Sequence, residues 1–197
     1  MRDLFVTRLY EAEIAGPELL EELAHSIRTL AEDDVAGQRW AREKNYRGYT
    51  SYASLDDLPR RDPGIGELGR TLVKHAARFA DECAFNLTRK PRLDSLWVNL
   101  LRGSGGHSAH IHPQSIISGT LYVEVPPGSG AIRFEDPRLP MMMAAPTRRE
   151  DAPEPLQPFV TVQPTPGMLL LWESWLRHEV LPGTGGGERL SISFNFA

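Results

Sequence analysis

A single cysteine, Cys83, stands in this chain of 197 residues. That excludes an intramolecular disulfide and any cysteine-based zinc cluster. The thiol sits in an apolar helical pattern, where packing is the expected role rather than reactivity. Long apolar runs are missing as well: no stretch approaches the roughly 20 residues of a membrane span. The opening residues, MRDLFVTRLYEAEI, contain no apolar signal-peptide segment and no small-residue cleavage site. The expectation is a cytoplasmic protein, in a reducing compartment. A strong charge of either sign is also absent. With 22 basic and 26 acidic side chains the formal charge is −4, which gives no reason to expect a nucleic-acid or membrane partner. No Gly-x-Ser-x-Gly elbow occurs, and nucleophilic catalysis has little support. The glycine-rich GTGGGE at 183–188 lacks the Gly-Lys-Ser/Thr ending of a phosphate loop and falls between strand-like runs, so a nucleotide site is rejected.

What is present is an ordinary globular balance, 41% hydrophobic and 24% charged, sufficient for one domain over residues 1–197. Leu19, Leu20, Leu23, Ala24, Ile27 and Leu30 recur at helical spacing after Gly16-Pro17, with Glu18, Glu21 and Glu22 near the start. A second helix is predicted from about Asp62 to Leu87, capped by Asp62, with Ile65, Leu68, Leu72, Ala76, Phe79 and Cys83 as its apolar stripe. Between them the stretch from Trp40 to Leu58 reads as irregular. From Leu93 onward the pattern changes to short β-branched and aromatic runs: LDSLWVNLL, SIISGTLYVEV, AIRF, PFVTVQ, GMLLLW, HEVL and RLSISFNF. Such runs between Pro/Gly turns indicate an antiparallel sandwich or barrel. PPGSG (126–130) is expected to join two of them as a hairpin, and 137–158 to form a long loop with Met141, Met142 and Met143. The organisation expected is a helical flank at 1–90 packed on an all-β core at 91–197.

Three of the six histidines fall within GHSAHIHP. His110 and His112 are two apart, and in extended backbone both imidazoles reach one point. His107 has the opposite parity and would point away from a straight strand, which leaves it at an entrance or behind the ligands. Neutral imidazole suits iron, zinc, copper and nickel alike, so the pair does not choose a metal. His178 is the candidate third ligand. Eleven residues later comes Arg189, with Ser191 on the same strand face, while Leu190, Ile192, Phe194 and Phe196 occupy the other. The polar face could be solvated. Placed inside a barrel, the arginine would instead require an anionic partner, and a dicarboxylate cosubstrate would supply one. The spacing from His178 favours the second reading.

WVNLL (97–101), HIHPQSIISGTLYV (110–123), GSGAIRFEDPR (128–138), PGMLLLWESWLRHEVLP (166–182) and RLSISFN (189–195) together resemble a family of 2-oxoglutarate/Fe(II) oxygenases known mainly from bacteria and phages. GYTSY (48–52) is similar to an upstream feature of that family. The resemblance implies a mainly β fold with flanking α: a double-stranded β-helix (jelly-roll, cupin-like) with N-terminal helices. It also implies Fe(II) and 2-oxoglutarate, with His110 as the first ligand and His178 as the last. Arg189 and Ser191 would hold the far carboxylate, and Asn99 and Tyr122 are weaker candidates for cosubstrate contacts. The substrate would be a small molecule or a peptide side chain, and pairing through barrel exteriors and helices makes a homodimer an expectation. His112 stands where the broader superfamily has a carboxylate. Three neutral ligands leave Fe(II) at formal +2, which strengthens its pull on an anionic chelator; Glu135 or Asp136 is the alternative that would complete the site with a charge. Two other classes compete with this one. They are a three-histidine cupin-like oxygenase without 2-oxoglutarate, in which Arg189 holds the substrate's own carboxylate, and a non-catalytic metal-binding jelly-roll module.

Overall fold

The computed structural model describes residues 1–197. In chain order the elements are β1 (Leu9–Glu13), α1 (Pro17–Asp33), α2 (Val35–Glu43), β2 (Gly48–Thr50), α3 (Leu58–Arg61), α4 (Pro63–Glu82), β3 (Leu93–Arg102), β4 (His107–His110), β5 (Ile117–Glu124), β6 (Ile132–Glu135), β7 (Phe159–Val162), β8 (Met168–Glu173), β9 (His178–Val180) and β10 (Glu188–Phe196). All seven strand-like runs are strands. They form two antiparallel sheets, one of six strands in the order β1-β8-β5-β10-β3-β2 and one of four in the order β4-β9-β6-β7. This is the expected jelly-roll. No helix is long and apolar enough to cross a membrane.

The two faces of the larger sheet follow from period-two alternation. Val98, Leu100, Leu121, Leu169, Leu171, Leu190, Ile192, Phe194 and Phe196 share a buried cluster with Leu23, Ala24 and Ile27 of α1 and Ile65, Leu68, Leu72, Ala76 and Phe79 of α4. Each such side chain stabilises the fold by about 1.5–3 kcal/mol through area removed from water. The helices therefore shield one face of the sheet and leave the other to the smaller sheet.

Local signals explain most boundaries. The Asp62 carboxylate accepts from the Ile65 N–H at 2.9 Å, as a helix cap should. The same helix stops at Glu82, five residues before the expected Leu87. Ala84 adopts a left-handed φ of 56°, while the Ala84 N–H donates to Asp81 O and the Phe85 N–H to Ala80 O. This is a Schellman stop, closed by an edge contact between Phe79 and Phe85 at 6.2 Å. Glycine usually fills that position, and alanine gives no comparable signal in the sequence.

Three further expectations are corrected. PPGSG is no hairpin: β5 and β6 lie in different sheets, because both edges of β5 are occupied by β8 and β10. The turn passes the chain from one sheet to the other. The stretch from Trp40 to Leu58 is not wholly irregular, since α2 runs through Glu43 and β2 pairs with Leu101, Leu100 and Asn99 of β3. The flank at 1–90 is also not purely helical, because β1 and β2 form the two edges of the larger sheet. Residues 137–158 do form a loop, which connects β6 to β7 through two short 3-10 turns, Leu139–Met141 and Glu154–Leu156.

Candidate active site

Between the sheets lies a cavity of about 450 Å³ when the open space at its mouth is counted. His107, His110, His112 and His178 reach it from the smaller sheet and its continuation, and Trp97, Thr120, Tyr122, Trp172, Arg189, Ser191 and Ser193 reach it from the larger. His110, the last residue of β4, pairs directly across the ladder with His178, the first of β9. His112 follows in extended chain, fixed by its N–H donating to Ser174 O at 3.0 Å.

One nitrogen from each of His110, His112 and His178 lies within 4.8 Å of the others. The Nδ1 of His110 is 2.7 Å from Ser108 O, and that of His178 is 2.9 Å from Leu176 O. A carbonyl only accepts, so each Nδ1 carries the proton and each Nε2 presents its lone pair. The Nε2 atoms of His112 and His178 are 3.3 Å apart. Two nitrogens bound at right angles to one ion at about 2.1 Å would be about 3.0 Å apart, so small adjustments accommodate a metal. Burial lowers the His178 pKa to about 3 despite the Leu176 carbonyl, with neighbouring histidine charge acting in the same direction as burial. Burial, then His110, lowers His112 to about 4. Both imidazoles are therefore neutral and ready to ligate near pH 7. The carboxylates weighed as alternatives are engaged elsewhere: Glu135 with Arg177 at 3.1 Å and Asp136 with Arg138 at 2.8 Å. The donor set is three imidazole nitrogens, which fits a divalent transition metal.

At the other end of the cavity Arg189 is 5% exposed. Its Nη1 donates to Gly130 O at 2.9 Å, its Nε has no partner, and no carboxylate of the chain pairs with it. Burial pulls its pKa down, but not near neutrality for a guanidinium. The result is a buried cation that awaits an anion. Tyr122 lies beside it, with the guanidinium carbon 5.7 Å from the ring centroid, and burial raises the phenol to about 12. The glycine-rich 183–188 segment has a structural role here. It packs on the 126–130 turn beneath Arg189, with Thr184 N–H donating to Gly128 O at 2.8 Å. A Cβ at Gly130 would fall on the Leu181 carbonyl oxygen, so only glycine lets the two loops close this end.

Six of the seven candidate residues thus line one cavity. Asn99 does not. Its Oδ1 accepts from Thr50 Oγ1 at 2.9 Å and from the Tyr46 hydroxyl at 3.4 Å, and its Nδ2 donates to Ser193 Oγ at 3.1 Å. Parity misplaced His107. The β4–β9 ladder is irregular between His107 and His110, which turns His107 into the cavity, where its Nε2 lies 2.8 Å from the Tyr46 hydroxyl. Burial, with Arg189 nearby, lowers its pKa to about 3. Tyr46 is not singled out in the sequence among the aromatics of the 40–58 stretch, nor is Trp97 as a site residue; Trp97 stacks obliquely on His112 at 5.9 Å while Tyr52 meets it edge-on at 5.2 Å. Trp172 packs in a small cluster with Tyr122, Ile132, Phe134, Leu170 and Leu176, and also forms a cavity wall.

The fold is shared with solved structures of low sequence identity. A prolyl-4-hydroxylase from Pseudomonas putida is 18% identical, with a TM-score of 0.64 over 96% of this chain and 92% of that one. The epimerase SnoN from nogalamycin biosynthesis, in complex with Fe3+, alpha-ketoglutarate and nogalamycin RO, is 15% identical, with a TM-score of 0.67 over 96% and 78%. HygX from Streptomyces hygroscopicus with nickel, 2-oxoglutarate and hygromycin B is 15% identical, with a TM-score of 0.62 over 97% and 83%. No curated protein matches by sequence. A family model for 2OG-Fe(II) oxygenases matches residues 95–195, over half of the chain and spanning all three histidines and Arg189; the chain therefore belongs to the 2OG-Fe(II) oxygenase family and is an Fe(II)- and 2-oxoglutarate-dependent oxygenase.

Proposed function

We propose that His110, His112 and His178 hold the iron, that Arg189 and Ser191 hold the far carboxylate of 2-oxoglutarate, and that the enzyme hydroxylates a C–H bond of a small molecule or a peptide side chain. The observation that carries this reading is the pairing, in one cavity, of three imidazoles with a buried guanidinium that has no anion of its own. Iron, when bound, supplies the O2 chemistry that couples decarboxylation of 2-oxoglutarate to substrate oxidation. The balance is 2-oxoglutarate, O2 and R–H giving succinate, CO2 and R–OH.

The protein's own contribution is binding, orientation and exclusion of water. Arg189 and the Ser191 hydroxyl offer donors to the distal carboxylate, and the Gly130 carbonyl fixes the guanidinium from behind. Asn99 acts at one remove, tying Thr50, Tyr46 and Ser193 together. Exposed Ile111, Tyr52 and Trp175 stand beside His112, Trp97 and the β8–β9 turn, and form the apolar rim at which a substrate would arrive. The prolyl-4-hydroxylase and HygX neighbours suggest either a peptide side chain or a polar natural product as the substrate class. A reducing cytoplasm suits both ferrous iron and the free thiol of Cys83.

Anaerobic titration of the apo-protein with Fe(II) and then 2-oxoglutarate tests the reading. A visible metal-to-ligand charge-transfer band is expected, weakened in Arg189→Ala and missing in His178→Ala. Bound iron without a band would overturn the cosubstrate assignment, and no iron uptake would overturn the ligand assignment.

A further inference from the structure

Two buried side-chain nitrogens in the chain have no hydrogen-bond partner, Arg189 Nε and Trp172 Nε1, and both residues line the same cavity. The first is used by the proposed function. The second is not, and packing does not explain it. Trp172 is 2% exposed on β8, and its ring meets His178 edge-on at 4.7 Å and Phe134 at 5.3 Å. Those contacts would be made as well by phenylalanine, without burying a donor at a cost of about 1–3 kcal/mol. Neighbouring polar groups behave otherwise. Ser118, directly across the ladder from Trp172, is paired with Ser174 at 2.7 Å and Asn195 at 2.8 Å. Exposed Trp175 gives its indole N–H to Glu173 at 2.8 Å.

An indole N–H donates and never accepts, so its partner must be an acceptor, and the carbonyl and carboxylate oxygens of a keto acid are strong ones. The contact with His178 puts Trp172 at the histidine end of the cavity, and Arg189 holds the other. Two unpaired donors at the two ends match a ligand with acceptor oxygens at both ends. We propose that Trp172 is a binding residue whose Nε1–H donates to the keto-acid end of 2-oxoglutarate. This rests on the cosubstrate site proposed above.

The test is anaerobic calorimetry on the Fe(II)-loaded protein with 2-oxoglutarate and with oxalate, which carries the metal-binding end without a distal carboxylate. Trp172→Phe should weaken both ligands by about ten- to a hundredfold, the effect of one hydrogen bond to a charged acceptor. Arg189→Met should weaken 2-oxoglutarate and leave oxalate nearly unchanged. In parallel, one indole N–H resonance of the Zn(II)-loaded wild type should move downfield on adding oxalate, and that resonance should be the one missing in Trp172→Phe. A stationary indole spectrum overturns the proposal even where the variant folds poorly. Wild-type affinity of Trp172→Phe for both ligands overturns it too, as does a loss confined to 2-oxoglutarate. A wild type that binds neither ligand in the presence of metal overturns the cosubstrate site itself, and this inference with it.

Discussion

Strand β10 has two buried faces that do opposite work. Leu190, Ile192, Phe194 and Phe196 are fully buried against the helices, and Arg189, Ser191 and Asn195 are nearly as buried on the other side, with Ser193 half-buried among them. Burial alone therefore does not separate scaffold from site. What separates them is how the buried atoms are satisfied. The apolar face is complete within the chain. The polar face is complete along most of its length, through Asn195 to Ser95 and Ser118 and through Ser193 to Asn99, and is incomplete at Arg189. An incomplete buried cation is what a ligand site looks like before the ligand arrives.

Variants should separate the two faces. The largest effect is expected for His178→Ala, which removes the one proposed ligand contributed by β9. Succinate production should fall to background, with Fe(II) binding lost in equilibrium dialysis and the far-UV circular dichroism retained; retained iron would place the metal elsewhere. Next comes Phe194→Ala on the apolar face, expected to destabilise by about 3–5 kcal/mol in urea unfolding. The 2-oxoglutarate affinity of its folded fraction should be unchanged. Arg189→Met should do the converse, raising the 2-oxoglutarate Kd by about a hundredfold, as loss of a buried charge pair worth about 2–5 kcal/mol does. It should leave apo-protein stability equal or higher, because it removes an uncompensated buried charge. A large drop in stability would mean that Arg189 is structural.

A smaller effect concerns pH. His107, His112 and His178 have pKa values lowered to about 3, 4 and 3 in the folded protein, against about 6.5 when unfolded. The unfolded chain binds more protons below 6.5, so apo-protein stability should be full above about pH 7 and fall as pH drops toward 4. The melting temperature measured at pH 7 and pH 5 reads this directly. The smallest effect is expected from Ser193→Ala, about 1 kcal/mol of stability for a lost hydrogen bond with Asn99, with little change in the 2-oxoglutarate Kd.

Legibility in the sequence divided along physical lines. Strands were readable where period-two alternation ran beside Pro/Gly turns, which covers all seven of the expected runs. The strands at the sheet edges were not. In β1 only Tyr10 is buried, and β2 is three residues long, so neither had a pattern to detect. The proposed ligands His110 and His112 were readable because a two-residue spacing in extended chain needs no tertiary information. His107 was misread because an irregular ladder breaks parity, and such an irregularity is invisible until the partner strand is known. Tyr46 is distant in sequence and reaches His107 only through the packing of the 40–58 segment.

The sequence by itself determined the jelly-roll class, the helical shield and the residues with the chemistry to hold a metal and a dicarboxylate. Alternation and helical periodicity are local, and imidazole and guanidinium carry their chemistry wherever they sit. The tertiary structure alone decided that six candidates share a cavity while Asn99 is tied up beside it, that Glu135 and Asp136 are bound to arginines, and that Trp172 and Arg189 keep unpaired donors. Those outcomes depend on which atoms meet across strands distant in sequence, and no spacing along the chain encodes whether a buried polar atom has found a partner.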